Sequence, residues 1–179
     1  MDTHTDDDII IEGCLKNNRN CQHLLYDKYA TRMLAVCMRF STNKTEAEDL
    51  MIEGFMIVFT NLSSFRHQSS LASWIRAIMV NHAISYYRKN EKFWNMESID
   101  ENPIELYDKS LDNIPTSISE KEIMQSIQEM PPTLRYTLNL IAFEGMNYKE
   151  VANQLNITET TVRSRFSKAK AWLSQRILS

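Results

Sequence analysis

Residues that interrupt regular structure are scarce in this chain, and their scarcity is what most restricts its fold. Only three glycines and four prolines occur in 179 residues, and two of the prolines are adjacent, at Pro131 and Pro132. The long stretches between them are rich in Leu, Ile, Met, Lys and Glu, most of which cost little in a helix. The sequence therefore predicts an all-α protein, long enough for two small domains.

Apolar residues at helical spacing predict three helices in the first half of the chain. Their stripes are Leu25, Tyr29, Met33, Val36 and Phe40; Met51, Phe55, Val58 and Leu62; and Leu71, Ile75, Ile78, Met79, His82 and Tyr86. Steps of three and four place each set on one helix face, and such faces normally form a shared core. His82 is accordingly interpreted as a packed core histidine and not as a metal ligand.

Charge is segregated along the chain. Between Phe93 and Glu122 there are eight acidic and two basic side chains, whereas between Thr158 and Ser179 there are five basic and one acidic. We predict a first helical domain over 1–92, an acidic linker over 93–117 and a second helical domain over 118–179. The net charge of −3 hides the basic C-terminal part, which favours a polyanionic partner.

The second predicted helix has an unusual outer face. Opposite its core stripe, Asp49 and Glu53 alternate with Ile52 and Met56. A merely solvated face would be uniformly polar, so this mixture favours docking of a basic partner. Ordinary scattered surface apolar residues remain the alternative.

The third predicted helix and the loop before it carry a different surface. The outward stripe is Trp74, Ala77, Asn81, Ser85 and Arg88, flanked by Arg76, Tyr87 and Lys89. The polar loop 63–70 holds a single aromatic, Phe65. Aromatic rings among cations suit single-stranded nucleic acid, because rings stack on bases and cations hold phosphates. A solvated face beside a core-packed Trp74 explains the pattern equally well.

The strongest motif is a predicted helix-turn-helix over 147–173. Asn147 with Glu150 fits a capping box, Gly145 and Asn156 tolerate left-handed turns, and Thr158 is placed to cap the second helix. The core stripe of that helix is Val162, Phe166, Ala169 and Leu173. Its outward face is Thr160, Ser164, Ser167 and Ala171, flanked by Arg163 and Lys168. Short polar residues edged by cations suit a major groove, although a helical hairpin with a solvated basic face is the alternative.

Four stretches, taken together, resemble a known family. They are Cys21–Tyr29; Glu46–Phe55; Phe65–Ile75 with Asn81–Lys89; and Tyr148–Ala152 with Thr161–Arg165. In this order and at this spacing the chain resembles the extracytoplasmic-function sigma factors of bacterial RNA polymerase. The resemblance covers about 8–92 and 118–178. It implies a region-2-like bundle and a region-4-like helix-turn-helix joined by the linker, the minimal form of the family, without regions one or three.

The resemblance also implies a role for each surface. Residues implied in polymerase binding are Asp49, Leu50, Ile52, Glu53 and Met56. Residues implied in reading and melting the −10 element, with capture of a flipped base, are Phe65, Arg66, Ser69, Ser70, Trp74, Asn81, Arg88 and Lys89. Residues implied in binding the −35 element are Thr160, Arg163, Ser164, Ser167 and Lys168. The family usually has Gln where Ile52 stands, so the docking face departs from the pattern there.

The resemblance further implies the partners: core RNA polymerase, promoter DNA and an anti-sigma factor, often a membrane protein. The acidic linker would thread toward the active-site channel of the polymerase. The acidic N-terminus suggests a contact that holds the basic domain closed. A helix-turn-helix repressor or response regulator is the competing interpretation, but such proteins need a receiver domain or ligand pocket, and neither is visible in the sequence.

Other classes of function lack the residues they need. The carboxylates of 46–53 spread over one broad helix face without a histidine, so we expect neither an enzyme nor a metal site or cofactor. Three cysteines without a Cys-x-x-Cys pair favour free thiols in a reducing cytoplasm. No apolar run is long enough to span a bilayer, and the N-terminus is acidic, unlike a secretory signal.

Overall fold

The computed structural model describes residues 3–97 and 119–177, which form eight helices and one 3₁₀ turn and contain no strand. The elements are α1 (Thr3–Leu15), α2 (Arg19–Phe40), α3 (Lys44–Asn61), the 3₁₀ turn (Leu62–Ser64), α4 (Leu71–Glu97), α5 (Glu120–Glu129), α6 (Pro132–Ala142), α7 (Tyr148–Leu155) and α8 (Glu159–Ile177). The all-α prediction is confirmed. Most of the predicted linker lies outside the described residues, and its first five residues, 93–97, continue α4.

The described residues fall into two compact units. The first lies within Met1–Met38 and Asn43–Ala83, and the second within Arg39–Thr42 and Ile84–Ser179. The long helices α2 and α4 each contribute to both units. No helix in the described ranges is long and apolar enough to cross a membrane.

The core of the first unit follows the predicted stripes. Leu25 and Val58 are fully buried, and the other members of the first two stripes are at most 5% exposed. Helix α3 begins at a proper cap, since the Asn43 side chain accepts a hydrogen bond from the Glu46 amide at 2.9 Å. Gly54 brings α3 close to α4, because a Cβ atom there would lie 2.2 Å from Sδ of Met79.

The stripe predicted for α4 is partly wrong. Tyr86 was expected in the core but is 37% exposed, whereas Tyr87, expected on the outer face, is fully buried. The reason is that the second half of α4 belongs to the second unit, where the Tyr87 ring lies 4.8 Å from that of Tyr136 and 5.3 Å from that of Trp94. The buried face of α4 therefore changes along the helix. His82 is half-buried, with its Nε2 atom 2.9 Å from the Glu53 carboxylate.

Helix α1 is held to the first unit by a polar anchor at Asp7. Its carboxylate accepts hydrogen bonds from the Lys28 ammonium at 2.7 Å and from the Tyr29 hydroxyl at 2.9 Å. Tyr29 itself is only 4% exposed. Further along α1, the Sγ atom of Cys21 lies 2.2 Å from where a Cβ atom on Gly13 would stand, so the two helices touch at a position where only glycine fits.

The Tyr29 anchor gives the stability of the protein a dependence on alkaline pH. Burial, followed by the hydrogen bond to Asp7, raises the pKa of Tyr29 far above its usual value. The neutral phenol is thus favoured in the folded state, and the stabilisation is complete below about pH 10 and is lost as the pH rises further. Burial also raises the pKa of Tyr87, which acts in the same direction.

We expect Tyr29→Phe to lower the free energy of unfolding by about 1.5–3 kcal/mol near neutral pH, the usual effect of losing a hydrogen bond to a charged group. Above about pH 10 the variant should lose stability less steeply than the wild type. Urea unfolding at a series of pH values measures both effects. Tyr86→Phe changes an exposed tyrosine and serves as the control. If the free energy of unfolding fell equally steeply with pH above about pH 10 in all three proteins, Tyr29 would not cause the pH dependence.

The second unit is built from α5 to α8 and the end of α4. Helix α5 starts with a capping box between Ser119 and Glu122, and Pro132 occupies the first turn of α6, where its missing amide is tolerated. The central apolar cluster is Ile127, Met130, Leu134, Leu138 and Ala169. The adjacent Pro131 and Pro132 thus separate two helices that pack on α8.

Candidate functional site

The first candidate surface is the outer face of α3, here called the α3 face and made of Asp49, Ile52, Glu53 and Met56. All four side chains are exposed, with Ile52 at 49% and Met56 at 65%. Leu50, which the resemblance also implies in polymerase binding, is only 6% exposed and packs in the core. The α3 face therefore presents two carboxylates and two large apolar groups to solvent, with Glu53 steadied by His82.

The second candidate surface is the loop between the 3₁₀ turn and α4. Its aromatic centre is Phe65, whose ring centroid lies 4.6 Å from that of His67 and 5.4 Å from that of Trp74. His67 has a left-handed backbone (φ 56°), which is uncommon for a residue other than glycine. The loop ends where the Ser70 hydroxyl accepts a hydrogen bond from the Ser73 amide at 3.2 Å. The loop thus brings Phe65 and Trp74, both predicted from the sequence to contact DNA, into contact through tilted rings.

The other residues predicted to read the −10 element lie on the loop or on α4, and two of them, Arg88 and Lys89, belong to the second unit. Phe65 and Trp74 are half-buried, and Arg66, Ser69, Ser70, Asn81, Arg88 and Lys89 are exposed. Within the second unit, Arg88 is already engaged, since its Nε atom donates to the Gln154 carbonyl at 2.6 Å and its guanidinium also reaches Asn153. These hydrogen bonds occupy Nε and one terminal nitrogen of the guanidinium, so the other terminal nitrogen is the group left for a phosphate while they persist.

Beside Phe65 lies a cavity that the sequence did not predict. It has a volume of about 90 Å³ and is lined by Asp7, Asp8, Ile11, Phe65, His67, Ser70 and Leu71. The Asp8 carboxylate lies 3.5 Å from Nδ1 of His67. The acidic N-terminus was visible in the sequence, but no periodicity connected it with the loop at 63–70, because the contact depends on how α1 docks.

The third candidate surface is the helix-turn-helix, whose turn chemistry is confirmed. The Asn147 side chain and the Glu150 carboxylate exchange hydrogen bonds with each other's backbone amides. Asn156 ends α7 in a left-handed conformation (φ 55°), and Gly145 also has a positive φ of 69°. The Thr158 hydroxyl accepts a hydrogen bond from the Thr161 amide at 3.1 Å.

The outward face of α8 is largely as predicted. Thr160, Arg163 and Ser164 are exposed, and Ser167 and Lys168 are partly buried. The Arg163 guanidinium lies 4.6 Å from the centre of the Tyr148 ring, a cation–π contact that can orient it. Ala171 was predicted to lie on the outward face but is only 5% exposed, so that prediction is wrong. Near that residue α8 packs against α5, as the hydrogen bond from the Trp172 indole to the Ser126 carbonyl shows. A larger part of the α8 circumference is therefore buried there.

Family models match both halves of the chain. The model of sigma-70 region 2 matches residues 25–93, and the model of sigma-70 region 4 matches residues 120–173. The matched ranges contain the α3 face, the loop surface and the outward face of α8, whereas the two acids at the new cavity precede the region 2 match.

Individual proteins are similar over nearly the full length. The chain is 26% identical to the RNA polymerase sigma-H factor of Pseudomonas aeruginosa, over 95% of this chain and 93% of that protein. It is 23% identical to the ECF RNA polymerase sigma-E factor of Haemophilus influenzae, over 96% of this chain and 95% of that protein. The fold is similar to that of the sigma factor RpoE in its complex with the anti-sigma factor NepR from Bartonella quintana, with a TM-score of 0.52 and 19% identity over 87% of this chain and 96% of that one.

Proposed function

Since the chain belongs to the sigma-70 family, as an extracytoplasmic-function sigma factor, we propose that its three candidate surfaces bind core polymerase, the −10 element and the −35 element, respectively. The protein binds core RNA polymerase and directs it to promoters; it is a transcription-initiation factor and not an enzyme. The same matches rule out the competing interpretation of a repressor or response regulator. The assignment of individual residues is the proposal.

The α3 face is the proposed polymerase-binding surface. Its two carboxylates would face basic residues on the clamp helices of the largest polymerase subunit, and Ile52 and Met56 would supply apolar contact at the centre. Leu50 is assigned a supporting role, because its burial keeps it from touching a partner directly. Ile52 adds apolar area where the family usually has an amide, so its counterpart on the polymerase should be apolar as well.

The loop surface is the proposed reader of the melted −10 element. Phe65 and Trp74 offer ring faces and edges to an unstacked base, Arg66 lies exposed beside them, and Asn81 presents an amide to a base edge. Ser69 and Ser70 contribute hydroxyl groups at the rim. Lys89 would hold the DNA backbone, as would Arg88 through the terminal nitrogen that is not bonded to Asn153 or Gln154. The juxtaposition of Phe65 with Trp74 is the single observation that carries this assignment.

The outward face of α8 is the proposed reader of the −35 element. Thr160 and Ser164 are short enough for close approach to the major groove, and Arg163 is oriented by Tyr148 for contact with guanine. Ser167 and Lys168, further along the same face, would contact the phosphates.

Arg163→Ala should weaken binding of a −35 duplex by about fivefold to a hundredfold, because a good arginine–guanine pair is worth roughly 1–3 kcal/mol. The loss should be largest for the preferred sequence and small for random DNA. Fluorescence anisotropy of the reconstituted polymerase complex on both duplexes measures it. Lys121→Ala makes the same charge change on α5, away from this face. If it reduced discrimination between the two duplexes by a comparable factor, the assignment of Arg163 would be wrong.

The remaining assignments concern organisation and partners. We assign a region-2-like domain to 1–92, an acidic linker to 93–117 that threads toward the active-site channel, and a region-4-like domain to 118–179. We place the protein in the cytoplasm and assign it an anti-sigma partner, which in this family is often a membrane protein. The solved similar structure, a sigma factor in complex with an anti-sigma factor, supports such a partner.

Reconstitution tests the proposal as a whole. Bacterial core polymerase freed of sigma factors is combined with this chain and supplied with genomic promoter fragments, and run-off transcripts are scored. New transcripts that depend on the added chain are the expected result. Phe65→Ala and Arg163→Ala should both reduce these transcripts. A promoter with a pre-melted bubble should restore transcription by Arg163→Ala more than transcription by Phe65→Ala, because only region 2 reads the bubble.

A further inference from the structure

The cavity beside Phe65 joins two parts of the chain with complementary chemistry. The loop supplies an aromatic wall, Phe65 and His67, while α1 supplies two carboxylates, Asp7 and Asp8. All of these residues belong to the first unit. A cavity with ring walls and acidic groups at its edge differs from a surface that only holds phosphates, since carboxylates repel phosphates and attract hydrogen-bond donors.

The two carboxylates are not equivalent. Asp7 is the more buried, with its side chain 19% exposed, and it is already bonded to Lys28 and Tyr29. Asp8 is 54% exposed and lies 3.5 Å from His67, which leaves acceptor positions on its carboxylate for another donor. Asp7 therefore fastens α1 beside the cavity, and Asp8 is the acidic group available to a ligand.

Base chemistry then determines what the cavity would accept. Adenine, cytosine and guanine each carry an exocyclic amine that donates hydrogen bonds, whereas the one N–H donor on the edge of an unpaired thymine, at N3, lies between two carbonyl oxygens. An ionised carboxylate only accepts hydrogen bonds. It pairs well with an amine, as acidic side chains do with N4 of cytosine, and it faces electrostatic repulsion from the carbonyl oxygens of thymine.

We propose that Asp8 is a specificity-determining residue, which makes the cavity beside Phe65 select an unstacked base bearing an exocyclic amine and disfavour thymine. The inference rests on the proposed function of the loop surface in capturing a base from the −10 element. It deepens that function by assigning the chemical class of the captured base. It also gives the N-terminal helix a direct role in promoter choice.

A selection experiment tests this role with the full chain bound to core polymerase. The probe is a pre-melted promoter bubble whose non-template strand carries a short run of randomised positions, and the retained strands are sequenced. The proteins compared are the wild type, Asp8→Ala, Asp6→Ala and Phe65→Ala. Asp6→Ala is the matched control, because Asp6 is an exposed acid on the same helix but does not line the cavity.

At one randomised position the wild type and Asp6→Ala should disfavour thymine by about fivefold or more, the low end of what a good base contact provides. Asp8→Ala should bring thymine close to parity at that position and leave the other positions unchanged. If Asp8→Ala keeps the wild-type preference at every position, the role of Asp8 is overturned.

The Phe65→Ala variant separates that failure from failure of the underlying function. Loss of all preference at the same position with Phe65→Ala shows that a base is captured there, whatever Asp8 does. If Phe65→Ala leaves every position unchanged, base capture by the loop surface is itself wrong. Retention of each variant on an unmelted −35 duplex confirms that the protein has remained folded and bound.

Discussion

Asp49→Arg is expected to abolish detectable transcription by the reconstituted complex, with at least about thirtyfold weaker binding to core polymerase. Asp49 is exposed on the α3 face, together with the apolar groups of Ile52 and Met56. Reversing its charge removes an attraction to a basic partner and adds a repulsion in a place where water is excluded. Both changes act in the same direction, and losing one partner of a charge pair that an interface buries typically costs about 2–5 kcal/mol.

Binding is measured by fluorescence anisotropy of the labelled chain titrated with core polymerase, and activity by run-off transcription. Glu12→Arg is the matched control, because it reverses an exposed acid on α1 whose carboxylate pairs with the neighbouring Lys16. Its binding should stay within about twofold of the wild type, as expected for a charge outside the interface. Equal losses in the two variants would mean that overall charge matters and the α3 face does not.

Local chemistry explains why much of the fold and site was predictable. Capping residues act over three or four positions, so Asn147 with Glu150 and the left-handed turn at Asn156 were visible in the sequence and are confirmed. The stripes of α2 and α3 were equally visible, since their apolar steps of three and four continue along one buried face of each helix. The exposure of Ile52 and Met56 follows from the same helical geometry.

The errors occur where a helix meets more than one neighbour. Tyr86 and Tyr87 exchange their predicted environments because the end of α4 packs in a different unit from its beginning. Ala171 is buried because α5, which follows the acidic linker, covers the end of α8. Periodicity reports one buried face for each helix, so it carries no information about a second contact from a distant part of the chain.

The cavity beside Phe65 was not predicted for the same reason, because it is formed by parts of the chain that are distant in sequence. Phe65 and Trp74 were predicted together because only nine positions separate them. Asp8 and His67 are far apart in sequence, and they meet only because Asp7 bonds to Lys28 and Tyr29 on α2 and because Gly13 permits close contact with Cys21. Charge composition identified the acidic N-terminus, but only the docking of α1 shows where its carboxylates lie.

Leu155→Ala is expected to destabilise the second unit by about 3 kcal/mol, within the usual range of 2–5 kcal/mol for a buried leucine. Leu155 is fully buried at the end of α7, next to the turn that leads into α8. Its removal leaves a cavity under the helix-turn-helix. Such a loss is a large share of the 5–15 kcal/mol by which a typical protein is stable.

The functional effect should be selective, because Leu155 touches no DNA in the proposed arrangement. Urea unfolding gives the loss of stability, and anisotropy on a −35 duplex compared with a pre-melted bubble gives its consequence for binding. Ile157→Ala is the control, since Ile157 lies in the adjoining turn and is only partly buried; its cost should be about 1 kcal/mol. Weaker −35 binding with bubble binding retained would show that Leu155 acts by holding α8 in place. Equal loss on both DNAs would instead mean that the two units fold as one, and the separate assignment of −10 and −35 recognition would then need revision.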